Sequence, residues 1–522
     1  MRALGRSLCF VGLGLVACAG KERDENAAAP SATPPAIEPA PSADPAPTGS
    51  IEPATSKDPA LSKPEGAPDP AEPRVYAKSR FVWVFDQPGA NHWVGYLWLG
   101  GSAKLREDRK VAAGGCTAWV PIEPRGWVCA DGVRATTDAK DPAVAVVRKY
   151  GPRLDTPWPH EYGESRGLQR YKSLPTEAEQ RGREWDLKDQ LERVAQARSG
   201  GERHASLEGV SLDPAPETPI ELGTLPNTAH EPRSKLNPLS TVTWIAETRT
   251  SNRDFLLTGD LMWVPKDRVS LYPKVTFQGV HLDDKKRLPL ATFRSKDRPR
   301  YEKRGDEMVA AGAPFKRLSW VELSGKSETV GDEKYLELRD GSAWIKASEA
   351  VVPTPQEKTP WGAPVGGDDT DASPPGRKTW LEASVWDGWL IAYEGTKPVF
   401  VTMIAPGRGG TPVPGKPAID TASTPTGTFK ITGKFATATM EAPGEFIHTD
   451  VPWTQNFSGP HALHGAYWHD DWGNRKSGGC VNVSPIDGKF LYEWTEPPMP
   501  AGWHGVKWRP SAEPATTFVV HR

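Results

Sequence analysis

From Arg74 onward, apolar residues recur at every second position in short runs. In RVYAKSRFVWVFDQPGANHWVGYLWLG a Pro-Gly turn interrupts the alternation, so the segment reads as a β-hairpin region. The same text returns in CTAWVPIE, RDFLLTGD and KYLELRDG. It returns again in TWLEASVWDGWLIAYEGTKPVFVTMIA, which reads as strand, turn, strand with the turn at Glu394-Gly395. Only Thr176 to Arg198 has helical composition, with Trp185, Leu187, Leu191 and Val194 near helical spacing. Gly182 weakens its start, and one helix of modest length is expected. The expected fold is therefore mainly β.

A weak internal repeat divides this text. Trp127-Val128 is followed by Val133, Trp263-Val264 by Val269 and Trp344-Ile345 by Ala350, each after a Gly or Asp-Gly turn. This predicts two or three small β-barrel modules in tandem. The first, 74–152, resembles a bacterial SH3-like domain, with short strands, a charged loop (LREDRK) and a closing strand after Gly126-Trp127. Residues 153–237 are expected to form an irregular, partly helical linker, and 238–352 one or two further barrels. A Pro- and Gly-containing stretch with an acidic patch at Asp368-Asp369-Thr370-Asp371 makes 353–376 a second linker. A C-terminal domain then fills 377–522. A chain of 522 residues suits about three to four such units.

Residues 19–73 are rich in Pro, Ala and Glu and nearly lack aromatics, so they cannot bury a core and are expected to be a disordered tether. Before them, Arg2 and Arg6 precede an apolar run, Leu8 to Ala17, that is too short to span a bilayer. Leu15-Val16-Ala17-Cys18 resembles a bacterial lipobox. The resemblance implies a signal peptide over 1–18 and lipidation of Cys18, against the simpler reading of a plain signal peptide. Ala19 after Cys18 favours a periplasmic protein anchored to the outer membrane. Lys plus Arg is 64 and Asp plus Glu is 66, so no basic face is forced and nucleic acid is excluded as a partner.

Export permits disulfides. Of five cysteines, Cys9 falls in the removed segment and Cys18 carries the lipid, while Cys116 and Cys129 share one compact, Trp-rich region and are expected to pair. Cys480 is left over, and a reactive thiol is the natural reason for it. It closes SGGCVNVSP, a Gly-Gly-Cys turn in which Gly478 and Gly479 let the backbone come close to a ligand. A sulfur at such a turn lies near backbone N–H groups, which supports both a thiolate and an oxyanion site. His464, in HALHGAYWHDDWG, lies 16 positions earlier and can act from an adjacent strand as general base and then acid.

The order and spacing of these segments resemble the L,D-transpeptidase catalytic domain, a β-sandwich. His464-Gly465 matches the family's first motif element, Ser477, Gly479, Cys480, Val481 and Asn482 match the second, and Thr424-Pro425-Thr426-Gly427-Thr428-Phe429 resembles the approach segment. The resemblance covers about the last 145 residues. It implies that Cys480 attacks a carbonyl of a peptidoglycan stem peptide, that D-Ala leaves, and that an amine resolves the thioester. The backbone N–H groups of Gly479 and Cys480 are the implied oxyanion donors, with Gly478 and Gly465 in the same backbone environment. Tyr467, Trp468, Ser477 and Asn482 are the implied substrate contacts. No cofactor is implied. One position departs from the family: glycine stands at 478 where histidine is usual, and His461 or His469 is available to replace that imidazole.

Three rivals use the same residues. His461, His464, His469, Asp470 and Asp471 are ligand types, but no metal-binding spacing or helix accompanies them, so no metal is expected. Water in place of the amine would give a carboxypeptidase or endopeptidase. A catalytically inactive wall-binding lipoprotein is the third.

Overall fold

Strands buried on both faces organise the C-terminal part of the chain. The computed structural model describes residues 72–250, 253–367, 377–441, 447–510 and 512–522. The expected signal peptide with Cys18, nearly all of the tether and residues 368–376 of the second linker lie outside the described residues. A six-stranded sheet has the order Val280–His281, Lys397–Met403, Trp389–Glu394, Thr379–Ser384, Thr517–His521, Gly427–Lys430. In its strand Thr379–Ser384, Leu381 and Ala383 enter one core with Phe457, Leu463 and Val481, while Trp380 enters another with Trp389, Trp472 and Phe277. Both faces are covered, and all six residues of the strand are buried, the polar Thr379, Glu382 and Ser384 included.

Facing it is a ten-stranded sheet. Its order is Val481–Val483, His461–Gly465, Ile447–Ser458, Gly433–Glu441, Gly505–Lys507, Trp93–Leu97, Val82–Phe85, Trp127–Cys129, Cys116–Pro121, Val111–Ala113. The helix Pro485–Trp494 follows its first strand, capped by the Ser484 side chain, which accepts from the Asp487 N–H. Leu491 and Trp494 of this helix complete the core between the sheets. The fold is mainly β, as the alternation predicts.

The ten-stranded sheet crosses the expected module boundaries. Gly95 pairs with Val506 and Tyr96 with Gly505, which joins the first module to the C-terminal domain strand to strand. The close approach depends on glycine: a Cβ on Gly95 would lie 2.4 Å from the Trp503 ring, and one on Gly505 2.3 Å from Tyr96. At the far end of this sheet Cys116 and Cys129, 13 residues apart, are joined by a disulfide across neighbouring strands.

Residues 153–237 are more than a linker. Glu161–Ser165 is an inner strand of a five-stranded sheet, paired with Thr241–Arg249 on one side and Val269–Leu271 on the other. The single helix expected over 176–198 is two, Glu177–Arg183 and Leu187–Arg198. Thr176 and Glu179 form a capping box on the first. Trp185 lies in the break between them and is 94% exposed, so its spacing with Leu187 was not a sign of burial. Buried Arg253 holds the helices to the sheet by pairing with Glu184 (2.9 Å) and Asp267 (2.8 Å). The third module is a six-stranded sheet built from Leu290–Thr292 to Trp344–Lys346.

The disulfide closes a short loop at the sheet's edge. In the chain-entropy view such a loop contributes about 3 kcal/mol. Replacing Cys116 and Cys129 together by serine should lower the unfolding free energy of the first module by about that amount, read by urea denaturation of the purified protein. An unchanged midpoint would show that the bridge does not stabilise the sheet.

Candidate active site

Parallel pairing places the two central residues. Leu463 pairs with Val481, His464 with Asn482 and Gly465 with Val483. Leu463, Val481 and Val483 enter the core between the sheets. By the two-residue period, Ala462 and His464 of one strand share the opposite face with Cys480 and Asn482 of the other. There Cys480 packs with Ala462, Met440 and Val451 beneath Trp468. Its Sγ accepts a hydrogen bond from the Ala462 N–H at 3.4 Å and is buried, 0% exposed. Against the expectation of a left-over thiol the sulfur is disulfide-bonded, and the chemistry considered below is that of the reduced protein.

The turn before Cys480 is held by its own polar groups. The Ser477 hydroxyl donates to the Cys480 carbonyl at 2.5 Å and accepts from the Gly479 N–H at 3.1 Å. Ser477 is therefore a brace within the turn, and the Gly479 N–H is not directed at a substrate oxygen. Pro406 anchors the turn from outside, its carbonyl accepting from the N–H groups of Lys476 and Ser477. Gly479 has φ +131°, and a Cβ there would lie 2.8 Å from the Ser423 carbonyl oxygen and 2.9 Å from the His461 ring. Gly478 is not among the residues with positive φ. Gly465 is packed tightly, its Cβ position 3.2 Å from Pro452.

His464 is fixed in one tautomer. Its Nδ1 lies 3.1 Å from the Gly465 carbonyl oxygen. A carbonyl only accepts, so Nδ1 carries the proton and Nε2 keeps its lone pair. Burial pushes the imidazole down to about 4, opposed in part by that hydrogen bond. His464 is thus neutral and basic at Nε2 across the physiological range. His469 meets Asn482: its Nδ1 accepts from the Asp471 N–H, which leaves the proton on Nε2, 3.1 Å from the Asn482 amide. Turned so that the buried Oδ1 faces His469, that amide accepts from Nε2–H and gains a partner. Burial also lowers His469, to about 4.

The other expected substrate contacts separate. Tyr467 is committed to packing: its hydroxyl donates to the Thr449 carbonyl at 2.7 Å, lies 2.6 Å from Thr241 Oγ1, and its ring stacks on Tyr162 at 3.9 Å. Trp468 is half-buried and stacks on His448 at 4.3 Å, with His464 5.8 Å away. The alternation in Ile447–Ser458 gave no sign that His448 belonged here, because its partner Trp468 is 20 residues on. His461 lies under the turn against Gly479, its Nδ1 donating to the Ser458 carbonyl at 3.1 Å. A cleft of about 690 Å³ adjoins the site, lined by Tyr467, Trp468, His469 and Asp470 and by residues 272–278 and 317–319. Trp468 both lines this cleft and packs against the cluster that contains Cys480.

The site thus brings a strand-borne histidine and a Gly-Gly-Cys turn onto one face of a β-sandwich. Residues 379–509 match the family model of the YkuD L,D-transpeptidase catalytic domain, and the C-terminal part of the chain is a domain of that family. Among solved structures, the chain is similar to an L,D-transpeptidase from Stackebrandtia nassauensis at 23% identity, covering 29% of this chain and 58% of that one, with a TM-score of 0.20. It is similar to the catalytic domain of the E. faecium enzyme at 19% identity, covering 28% and 100%, with a TM-score of 0.20. An L,D-transpeptidase from Mycobacterium smegmatis shows 14% identity over 47% and 88%, with a TM-score of 0.21. This chain spans less than two thirds of the first matched structures, 58%, 63% and 49% of their lengths. The search of curated proteins found no match.

Two predictions follow from the geometry. Gly479→Ala places a Cβ against a carbonyl and a ring at a φ that L-residues avoid, so labelling of reduced Cys480 by a thiol reagent should change rate by tenfold or more. Gly478 lacks the positive φ, so Gly478→Ala carries no strain of that kind and should change the rate less than Gly479→Ala does. The second concerns pH. His464 is depressed in the folded state, so between pH 6.5 and about 4 the unfolded chain binds a proton that the folded chain refuses. Its contribution to stability is complete above pH 6.5 and is lost as pH falls through that window. Denaturation from pH 7 to 4.5 should show a slope shallower in His464→Gln by up to about 1.4 kcal/mol per pH unit. Equal slopes would mean the imidazole is not buried neutral.

Proposed function

We propose that this protein is a peptidoglycan L,D-transpeptidase acting through a thioester on Cys480. The observation that supports it most is the shared strand face of Cys480 and His464, with His464 held neutral and its lone pair on Nε2. In the first step Nε2 takes the thiol proton and the sulfur attacks the stem-peptide carbonyl. The D-Ala amine leaves with the proton returned by the imidazolium, and a thioester remains. In the second step an acceptor amine attacks the thioester, loses its proton to His464, and frees the thiol by forming an amide. Water as acceptor gives the hydrolytic alternative from the same intermediate. Substrate reaching the sulfur displaces Trp468, which costs its stack on His448. The anchored form in the periplasm, tethered by lipid on Cys18 to the outer membrane, is part of this proposal and rests on the lipobox alone.

The test is acylation of the reduced protein by a carbapenem, read by intact mass. The wild type should gain one adduct and Cys480→Ala none. His464→Ala should slow the reaction by about 10²–10⁴-fold. Because the base is depressed to about 4, the wild-type rate should not fall with a pKa of 6.5, and acylation should persist at pH 5.5. Adduct on Cys480→Ala at the parental rate would overturn the assignment. Digestion of muropeptides then separates transfer from hydrolysis, and fractionation of Cys18→Ser tests the anchor.

A further inference from the structure

The cleft beside Trp468 has a wall that the catalytic domain does not supply. Residues 272–278 run extended along it, outside any sheet, before Val280–His281 joins the six-stranded sheet. Their side chains alternate: Val275 and Phe277 are buried in the core with Trp472, while Lys274, Thr276 and Gln278 are exposed. This is the pattern of an edge strand. Among the described residues, no backbone N–H or C=O from Lys274 to Gln278 takes part in a hydrogen bond. A run held straight by two buried side chains, with its main chain unsatisfied, is a template for a further strand.

We infer that Lys274–Gln278 binds an extended, anionic peptide by strand addition, and that this peptide is the wall stem on its way to Cys480. The inference rests on the reading of the active site given above. The occupant follows from three features of the cleft. Its volume, about 690 Å³, suits a short peptide. It is continuous with Trp468 and His469, so a chain paired to this edge is delivered beside the catalytic strands. Its charged lining is Lys274, Arg317 and Asp470; Asp470 matches Arg317, which leaves Lys274, shared with Glu161, to meet a ligand carboxylate. Lys274 Nζ is 3.2 Å from Glu161 and half-exposed, and can reach a ligand. Arg317 is spent on the loop itself: its Nη1 lies 2.9 Å from the Asp470 carboxylate and its Nη2 donates to the Asp470 carbonyl. It fixes the far wall, while Lys274 and the free main chain do the binding.

The experiment measures binding of a synthetic wall-stem tetrapeptide ending in D-Ala to the full chain carrying Cys480→Ala, by calorimetry. Thr276→Pro removes one N–H at an exposed position of extended backbone, and should weaken binding about tenfold, the size of one lost hydrogen bond with its strained neighbours. Lys274→Glu should weaken it several-fold and remove its salt dependence. A second set of probes spares the fold: peptides N-methylated at alternate amides should bind unequally, because only one set of N–H groups faces the edge. Equal affinity for both methylated peptides, or parental affinity in Lys274→Glu and a folded Thr276→Pro, overturns the inference, as does absence of binding. Failure of carbapenem acylation in the reduced wild type overturns the active-site reading instead, and leaves strand addition to be judged by these affinities.

Discussion

The parallel pairing of His461–Gly465 with Val481–Val483 is the constraint on which the site depends. Parallel neighbours cannot be joined by a tight hairpin, so the chain between them must leave the sheet and return. Here that excursion carries Tyr467, Trp468, His469 and the Gly-Gly-Cys turn. The pairing register then decides the chemistry. A slip of one residue would send His464 into the core between the sheets and bring Leu463 to the face beside the sulfur. Leu463, Val481 and Val483 hold the register by their burial, so the apolar face of these two strands guarantees the polar one.

Burial is the second determinant, and both partners are subject to it. A buried imidazole is held neutral, which favours His464 as a base. Cys480 is as fully buried, so the sulfur and the imidazole share one environment out of water. A group of buried histidines reinforces this environment. His448 is pushed down to about 3 by burial and then by His464 and His469. A proton on His464 opposes protonation of both His448 and His469.

Period-2 patterning made the β class and the C-terminal strands legible, because strands covered on both faces leave apolar text such as the WLIAY of Trp389–Glu394. That Cys480 and His464 come from adjacent strands was legible in the spacing of their two segments. Ser477 and Gly479 were assigned to substrate and oxyanion, but hydrogen bonds within the turn occupy them, and such bonds leave no trace in spacing. Tyr467 was hidden for a related reason: its partners Tyr162 and Thr241 lie more than 200 residues earlier. The strand Glu161–Ser165 was missed because its sheet neighbours come from 241 and beyond, and a short strand flanked by prolines and polar residues reads as loop.

Continuity of the ten-stranded sheet changes what the additional modules are. The family match begins at residue 379 and ends at 509, yet the strand Gly505–Lys507 near its end is paired on its other edge by Trp93–Leu97. Without the first module that edge would present unpaired N–H and C=O groups to water or to another chain. The middle module is docked as firmly, with Thr241 exchanging two hydrogen bonds with Thr449 on the strand next to His461–Gly465. The third reaches the catalytic excursion through Arg317 to Asp470 and through Arg294 to the Gly473 carbonyl. Each module therefore touches a different support of the same loop and sheet.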